Sequence, residues 1–174
     1  MNNQLPVKDI TYGTKRYNDR VYKTAIVSLT PVIKGSSSVI VTKIDGESFV
    51  GNITKTNNRN GVIVFSDRRM LFAEIATIEV ITRQEFPVLP TETIFFDKST
   101  LPAPKSFHLI LNKAHAVKKD VAVFMKNGEI YKGKSTTHDY DSLRLVTHDN
   151  RNIHIMYDAV KRIVPLEADG SLAE

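Results

Sequence analysis

Residues 121–133 read VAVFMKNGEIYKG, and residues 39–51 read VIVTKIDGESFVG. Val39 aligns with Val121, Val41 with Val123, Gly46 with Gly128 and Gly51 with Gly133, each at a spacing of 82. Asp45-Gly46 and Asn127-Gly128 predict two-residue hairpin turns, because Asn, Asp and Gly tolerate positive φ. Five residues further on, Gly51 and Gly133 interrupt the return strand, as glycine does where a strand bends or another backbone comes close. A hairpin with a bent second strand opens a small antiparallel barrel. Finding it twice predicts a mainly β chain built as two tandem units.

The strands outward from these hairpins follow the same plan. In the first unit they are expected at 39–44, 47–54, 61–66, 70–74 and 77–82, and in the second at 121–126, 129–137, 142–147, 152–157 and 160–164. Pro165 closes the last of them, as proline does at a sheet edge. A short helix at 107–117 precedes the second set, with Leu109, Leu111 and Ala114 as its apolar contacts. Ahead of the first set, VYKTAIVSL at 21–29 fits a strand or the start of a helix, and Thr30-Pro31 reads as an N-cap followed by proline at a first helical position. Residues 83–106 contain Pro87, Pro90, Pro102 and Pro104 and read as a partly extended linker, with Ile94-Phe95-Phe96 packed on a barrel. The resulting division is an N-terminal extension (1–28), a first unit (29–82), a linker (83–106), a second unit (107–165) and an acidic, disordered tail (166–174).

Composition narrows the classes. The 174 residues hold 24 Lys and Arg against 19 Asp and Glu, a net charge of +5 that suits a polyanionic partner. Cysteine is absent, which removes disulfide frameworks and thiolate metal sites and fits a reducing cytoplasm. No apolar run approaches the ~20 residues that span a membrane, and the first 20 residues lack the apolar core of a signal peptide. The five histidines form no H-x-x-x-H pattern, and no nucleophile elbow, phosphate loop or carboxylate pair stands out. The chain reads as a binding protein without cofactor or metal, and not as an enzyme.

With the motifs in view, residues 111–165 resemble the Hfq RNA chaperones of the Sm/LSm family. The resemblance is carried by Leu111-Asn112, VAVFMKNGEIYKG, Asp139, Leu143, Leu145 and AVKRIVP at 159–165. The first unit is fainter, with Asn57 in place of the turn aspartate. The resemblance implies two Sm-like (SH3-like) five-stranded bent barrels, each preceded by a short helix. It also implies edge-to-edge assembly, in which three chains with two barrels each form a homotrimeric pseudo-hexameric ring. The implied partner is single-stranded RNA, bound by a cytoplasmic post-transcriptional regulator.

Three surfaces follow from that resemblance. A distal-like face comprises Phe124, Asn127, Gly128, Ile130 and Lys132, whose first-unit counterparts are Thr42, Asp45, Gly46, Ser48 and Val50. Phe124 fits base stacking and a core or interface role alike. A rim comprises Asn112, Lys113, His115, Lys118, Lys119 and His138, where lysines would neutralise phosphates without reading sequence and Asn112 fits a helix N-cap as well. At the pore, the family's glutamine position is Tyr140, and its Tyr-Lys-His positions are Met156, Tyr157 and Asp158. Tyr140 and Tyr157 are the stacking candidates there. Arg59, Arg68 and Arg69 form a further basic group in the first unit. A reading from another class treats the two barrels as a protein-interaction or assembly module that binds no nucleic acid.

Overall fold

A computed structural model of the chain describes residues 22–57, 61–81 and 107–173. The expected linker with Ile94-Phe95-Phe96, the residue Arg59 and most of the N-terminal extension lie outside the described residues. Helix α1 (Lys23–Lys34) is followed by β1 (Ser38–Lys43), β2 (Ser48–Asn57), β3 (Val62–Phe65), β4 (Arg69–Leu71), a 3-10 turn (Phe72–Glu74) and β5 (Ile75–Val80). The same order then recurs: α2 (Phe107–Ala116), β6 (Val121–Met125), β7 (Ile130–His138), β8 (Ser142–Thr147), β9 (Asn152–Met156), a 3-10 turn (Tyr157–Ala159) and β10 (Val160–Pro165).

The ten strands among the described residues join one antiparallel sheet in the order β10-β6-β7-β8-β9-β5-β1-β2-β3-β4. Both hairpins turn at the expected glycines, with Gly46 at φ +92° and Gly128 at φ +95°, but each loop has three residues and not two. Lys43 N–H donates to Glu47 O and Met125 N–H to Glu129 O, and Asp45 and Asn127 keep negative φ. The register places Val39 opposite Gly51 and Val121 opposite Gly133, so the repeated glycines hold equivalent positions. Strand ends differ from expectation by at most three residues, and the fourth strand of each unit stops short at the 3-10 turn that aims the fifth strand back.

The sheet curls around two cores. The first gathers Ala25, Leu29 and Val32 of α1 with Val39, Val41, Ile53, Ile63, Phe65, Phe72, Ile75 and Ile78. The second gathers Phe107, Leu111 and Ala114 of α2 with Val121, Val123, Tyr131, Leu143, Leu145, Ile153, Ile155 and Tyr157. Each core also takes one residue from the other half: Met156 packs into the first and Ala76 into the second. This exchange follows from the central pairing of β5 with β9, where Thr77 faces Ile155 and Ile78 faces His154.

Side chains reinforce the join. Arg151 Nε and Nη2 each donate to Glu79 across it, at 2.8 and 2.7 Å. Thr24 N–H, at the start of α1, donates to Asp139 Oδ2 at 2.7 Å, so a carboxylate in the second half caps the helix of the first. The other oxygen of Asp139 accepts Asp141 N–H and Ser142 N–H and closes its own turn.

Two local expectations are corrected. α1 begins at Lys23, inside the stretch read as an extension, and Pro31 lies in its last turn. A proline there leaves the Val27 carbonyl without its helical donor, which is tolerable on an exposed face in the last turn, four residues before the C-cap Gly35. The C-terminal segment is ordered: Leu166 bridges Leu172, Gly170 N–H donates to Glu167 O, and Ala173 N–H donates to Pro165 O. This small hairpin lays Leu166 and Leu172 on the outward face of the sheet, a contact invisible to a reading of its acidic composition.

Candidate functional site

The outward surface of the second half is set by strand alternation. Side chains opposite one another in register share a face. One row runs Arg162–Phe124–Ile130, the next Val164–Ala122–Lys132, then Lys134–Val146–Asn152, then Arg144–His154–Ile78. Their composition decides their fate. Ala122, Phe124, Ile130 and Val164 are apolar and buried beneath Leu166 and Leu172 of the C-terminal hairpin. Phe124 is 7% exposed, so the aromatic expected to stack on a base is covered by the chain itself.

What stays open is basic. Lys132 and Lys134 are exposed at alternate positions of β7, about 7 Å apart for two residues of strand. Arg162 and Arg144 flank them, both half-buried, and Arg144 Nε donates to Asn152 Oδ1 at 2.8 Å. These rows contain four cations and no carboxylate. β7 lies between β6, roofed by the C-terminal hairpin, and β8, which α1 contacts. Of these four cations the sequence reading singled out Lys132 alone. The signal for the others was the same i, i+2 alternation, but it becomes visible only once the register fixes which face is outward.

The other expected positions are dispersed. Asn127 is the turn's own brace: its Oδ1 accepts Glu129 N–H at 3.1 Å and its Nδ2 donates to Glu129 Oε2 at 3.0 Å. Gly128 stands in open space. Asn112 is no helix N-cap, since it lies mid-helix in α2. There its Nδ2 meets His108 Nε2 at 3.0 Å and its Oδ1 meets His138 Nε2 at 2.9 Å. Those bonds require an accepting Nε2 on His108 and a donating one on His138. The His108 ring also lies 4.6 Å from that of Tyr140, which is exposed. Burial, and next the nearby His108 and His115, depress the pKa of His138.

Lys113, His115 and Lys118 are exposed on and after α2, with Lys118 in the left-handed region at φ +57°. Lys119 Nζ pairs with Glu167 at 2.8 Å, which ties the C-terminal hairpin to the end of α2. Tyr157 is wholly buried against Phe107, with ring centroids 5.4 Å apart, and cannot stack on a ligand. Burial, followed by Asp139 and Asp141, pushes its hydroxyl pKa well up. Arg68 pairs with Asp67 and lies 4.3 Å over the Phe49 ring, while Arg69 is exposed at the sheet edge. His154, beside Arg144, is held neutral: burial, then that arginine, drive its pKa down to about 4.

Among the described residues no group of three or more His, Asp or Glu is placed to hold a metal ion. No helix among them is long and apolar enough to cross a membrane.

Comparison with known proteins redirects the reading. A family model described as "Repressor of phase-1 flagellin" matches residues 9–163, through both halves and the segment between them. A curated protein of Salmonella abony, the "Repressor of phase 1 flagellin gene", is 23% identical over 124 residues, covering 66% of this chain and 69% of its own length. No solved structure matches the chain. These findings overturn the resemblance to Hfq, and with it the reading as an RNA chaperone and the RNA-binding, Sm-like description. The residues that carried that resemblance, Gly128, Gly133, Asp139 and the closing Ile163-Val164-Pro165, serve the turns and edges of a bent antiparallel unit. Such features can recur wherever strands must bend this way. The chain belongs to the family of repressors of phase-1 flagellin.

Proposed function

We propose that this chain represses expression of a flagellin gene. The observation that carries the reading is the family match across residues 9–163, which takes in both cores and not one local motif. The curated relative from Salmonella abony bears the name of such a repressor and spans two thirds of the chain. In this reading the protein works by binding, in the cytoplasm, and each half is a small SH3-like barrel.

The surface through which it acts is the outward face of β7, with Lys132 and Lys134 between Arg162 and Arg144. Four cations without an interspersed carboxylate favour an anionic partner, and lysines held on a strand offer charge in a fixed track. The covering of Phe124 by Leu172 argues for a contact made mainly by charge.

The test is a pair of reporters, one carrying the flagellin promoter alone and one carrying promoter, leader and start of the coding region. Each is measured with and without the chain, beside an unrelated reporter. The expected result is a several-fold fall in at least one flagellin reporter and none in the control. The double variant Lys132→Glu, Lys134→Glu should lose most of that fall while its circular dichroism spectrum is unchanged. Unchanged flagellin reporters with the intact chain present would overturn the function. Full repression by the folded double variant would overturn the surface.

A further inference from the structure

We propose that copies of this chain associate head to tail, the outer edge of β4 in one copy pairing with the outer edge of β10 in the next. The proposal is independent of the repressor reading. It rests on a join that the chain already makes once within itself.

The two halves correspond at an offset of 85 over their last strands: Phe72 with Tyr157 at the 3-10 turns, Ile75 with Val160 at the start of the fifth strands. Inside the chain, the fifth strand of the first half (β5) pairs antiparallel with the fourth strand of the second (β9). Among the described residues that leaves the fourth strand of the first half (β4) and the fifth strand of the second (β10) at the two ends of the sheet. They are the same two kinds of strand that pair in the middle. Repeating the join between copies is therefore a heterologous contact, which closes into a ring or extends as a filament.

Transferring the internal register fixes the pairs. Ile78 opposite His154 becomes Ile163 opposite Arg69, and Thr77 opposite Ile155 becomes Arg162 opposite Met70. Glu79 opposite Ile153 becomes Val164 opposite Arg68.

Backbone direction agrees. Phe65 N–H donates to Arg68 O and Phe72 N–H to Gly61 O, so Arg68, Met70 and Phe72 turn their backbone groups to β3, and Arg69 turns outward. Leu166 N–H donates to Asp120 O, so on β10 residues 162, 164 and 166 face β6 and Ile163 faces outward. In the middle of the sheet Ile81 N–H donates to Ser38 O, which likewise leaves Ile78 turned to β9.

The seam is short and conditional. β4 has three residues, Leu71 N–H is already taken by Glu74 Oε2, and Pro165 has no N–H to offer. No two cations stand directly opposite, yet Arg68 and Arg69 meet Lys161 and Arg162 on the diagonals. That repulsion is screened as the Debye length falls from about 10 Å at 0.1 M salt to about 3 Å at 1 M. Association should thus be weak at low ionic strength and should increase with salt, the reverse of a contact built on ion pairs.

Sedimentation velocity on the full chain tests this at 0.1 M and 1 M sodium chloride over a range of concentrations. The expected result is an average mass that rises with concentration and rises further at high salt. Arg69→Pro removes the outward N–H without touching the β3 ladder, and should hold the protein at monomer mass with its circular dichroism retained. Arg69→Glu brings a carboxylate near Lys161, and should tighten association about two- to five-fold at 0.1 M salt. A monomer under every condition for both the intact chain and Arg69→Glu would overturn the proposal. So would an oligomer whose mass neither substitution alters.

Discussion

Gly51 and Gly133 occupy the same place in two hairpins, yet the structure assigns them different costs. A Cβ on Gly133 would lie 2.2 Å from Val146 O, 2.7 Å from Thr147 Cα and 2.9 Å from Val146 C, all backbone of β8. Reaching an ordinary 3.4 Å contact would move β7 from β8 by about 1.2 Å, which loosens the ladder around the Gly133–Thr147 pair. Over-packing costs about 1–3 kcal/mol, and one or two weakened ladder bonds add about 1 kcal/mol each. Gly133→Ala should therefore lose about 2–5 kcal/mol.

At Gly51 the nearest atoms are ring carbons of Phe65 at 3.1 Å and Phe49 at 3.3 Å. Those side chains can give by a few tenths of an ångström. The alanine also restricts the unfolded chain, a gain of about 0.4–1 kcal/mol, so Gly51→Ala should stay within about 1 kcal/mol of the parent. Urea unfolding, followed by circular dichroism and tyrosine fluorescence, measures both against the parent chain. Equal losses at the two positions, or a Gly133→Ala as stable as the parent, would refute the argument from backbone approach.

Three further outcomes are expected. Asp139→Ala should cost about 1–3 kcal/mol, since it strips the N-terminus of α1 of its cap and leaves Asp141 N–H and Ser142 N–H without their acceptor; amide exchange at Thr24 should rise with it. His154 binds its proton more readily unfolded, near pH 6.5, than folded, near 4. Its contribution is thus present above pH 6.5 and lost as the pH falls from 6.5 to 4, by up to about 3 kcal/mol, and His154→Met should flatten that limb of the stability profile. Leu172→Asp should lift the C-terminal hairpin from Phe124 and Ile130, costing about 1–2 kcal/mol and raising the binding of a hydrophobic dye.

The hairpins were legible because their signal is local. Asp-Gly and Asn-Gly fix a turn by conformational preference alone, and the strands on either side begin and end close to where the alternation places them. α1 was ambiguous because its helical state is settled by distant partners, the first core, the β8 contact and the carboxylate of Asp139. The C-terminal hairpin was missed for a related reason: Leu166 and Leu172 are two apolar residues in an acidic stretch, and only the outward apolar patch of Ala122, Phe124 and Val164, which they cover, gives them somewhere to go. The same contact took Phe124 out of the candidate site. The basic face on β7 was half visible, through Lys132, because facing is a property of register and not of a single strand.

The exchange of Met156 and Ala76 between the two cores bears on how the molecule melts. Separating the halves would strip β5 from β9, uncover Met156 and Ala76 together, break the Arg151–Glu79 pair and uncap α1. Neither half can lose its order without withdrawing part of the other's interior. Calorimetry should accordingly record one heat-absorption peak, with van't Hoff and calorimetric enthalpies in agreement, from a chain whose sequence was written twice.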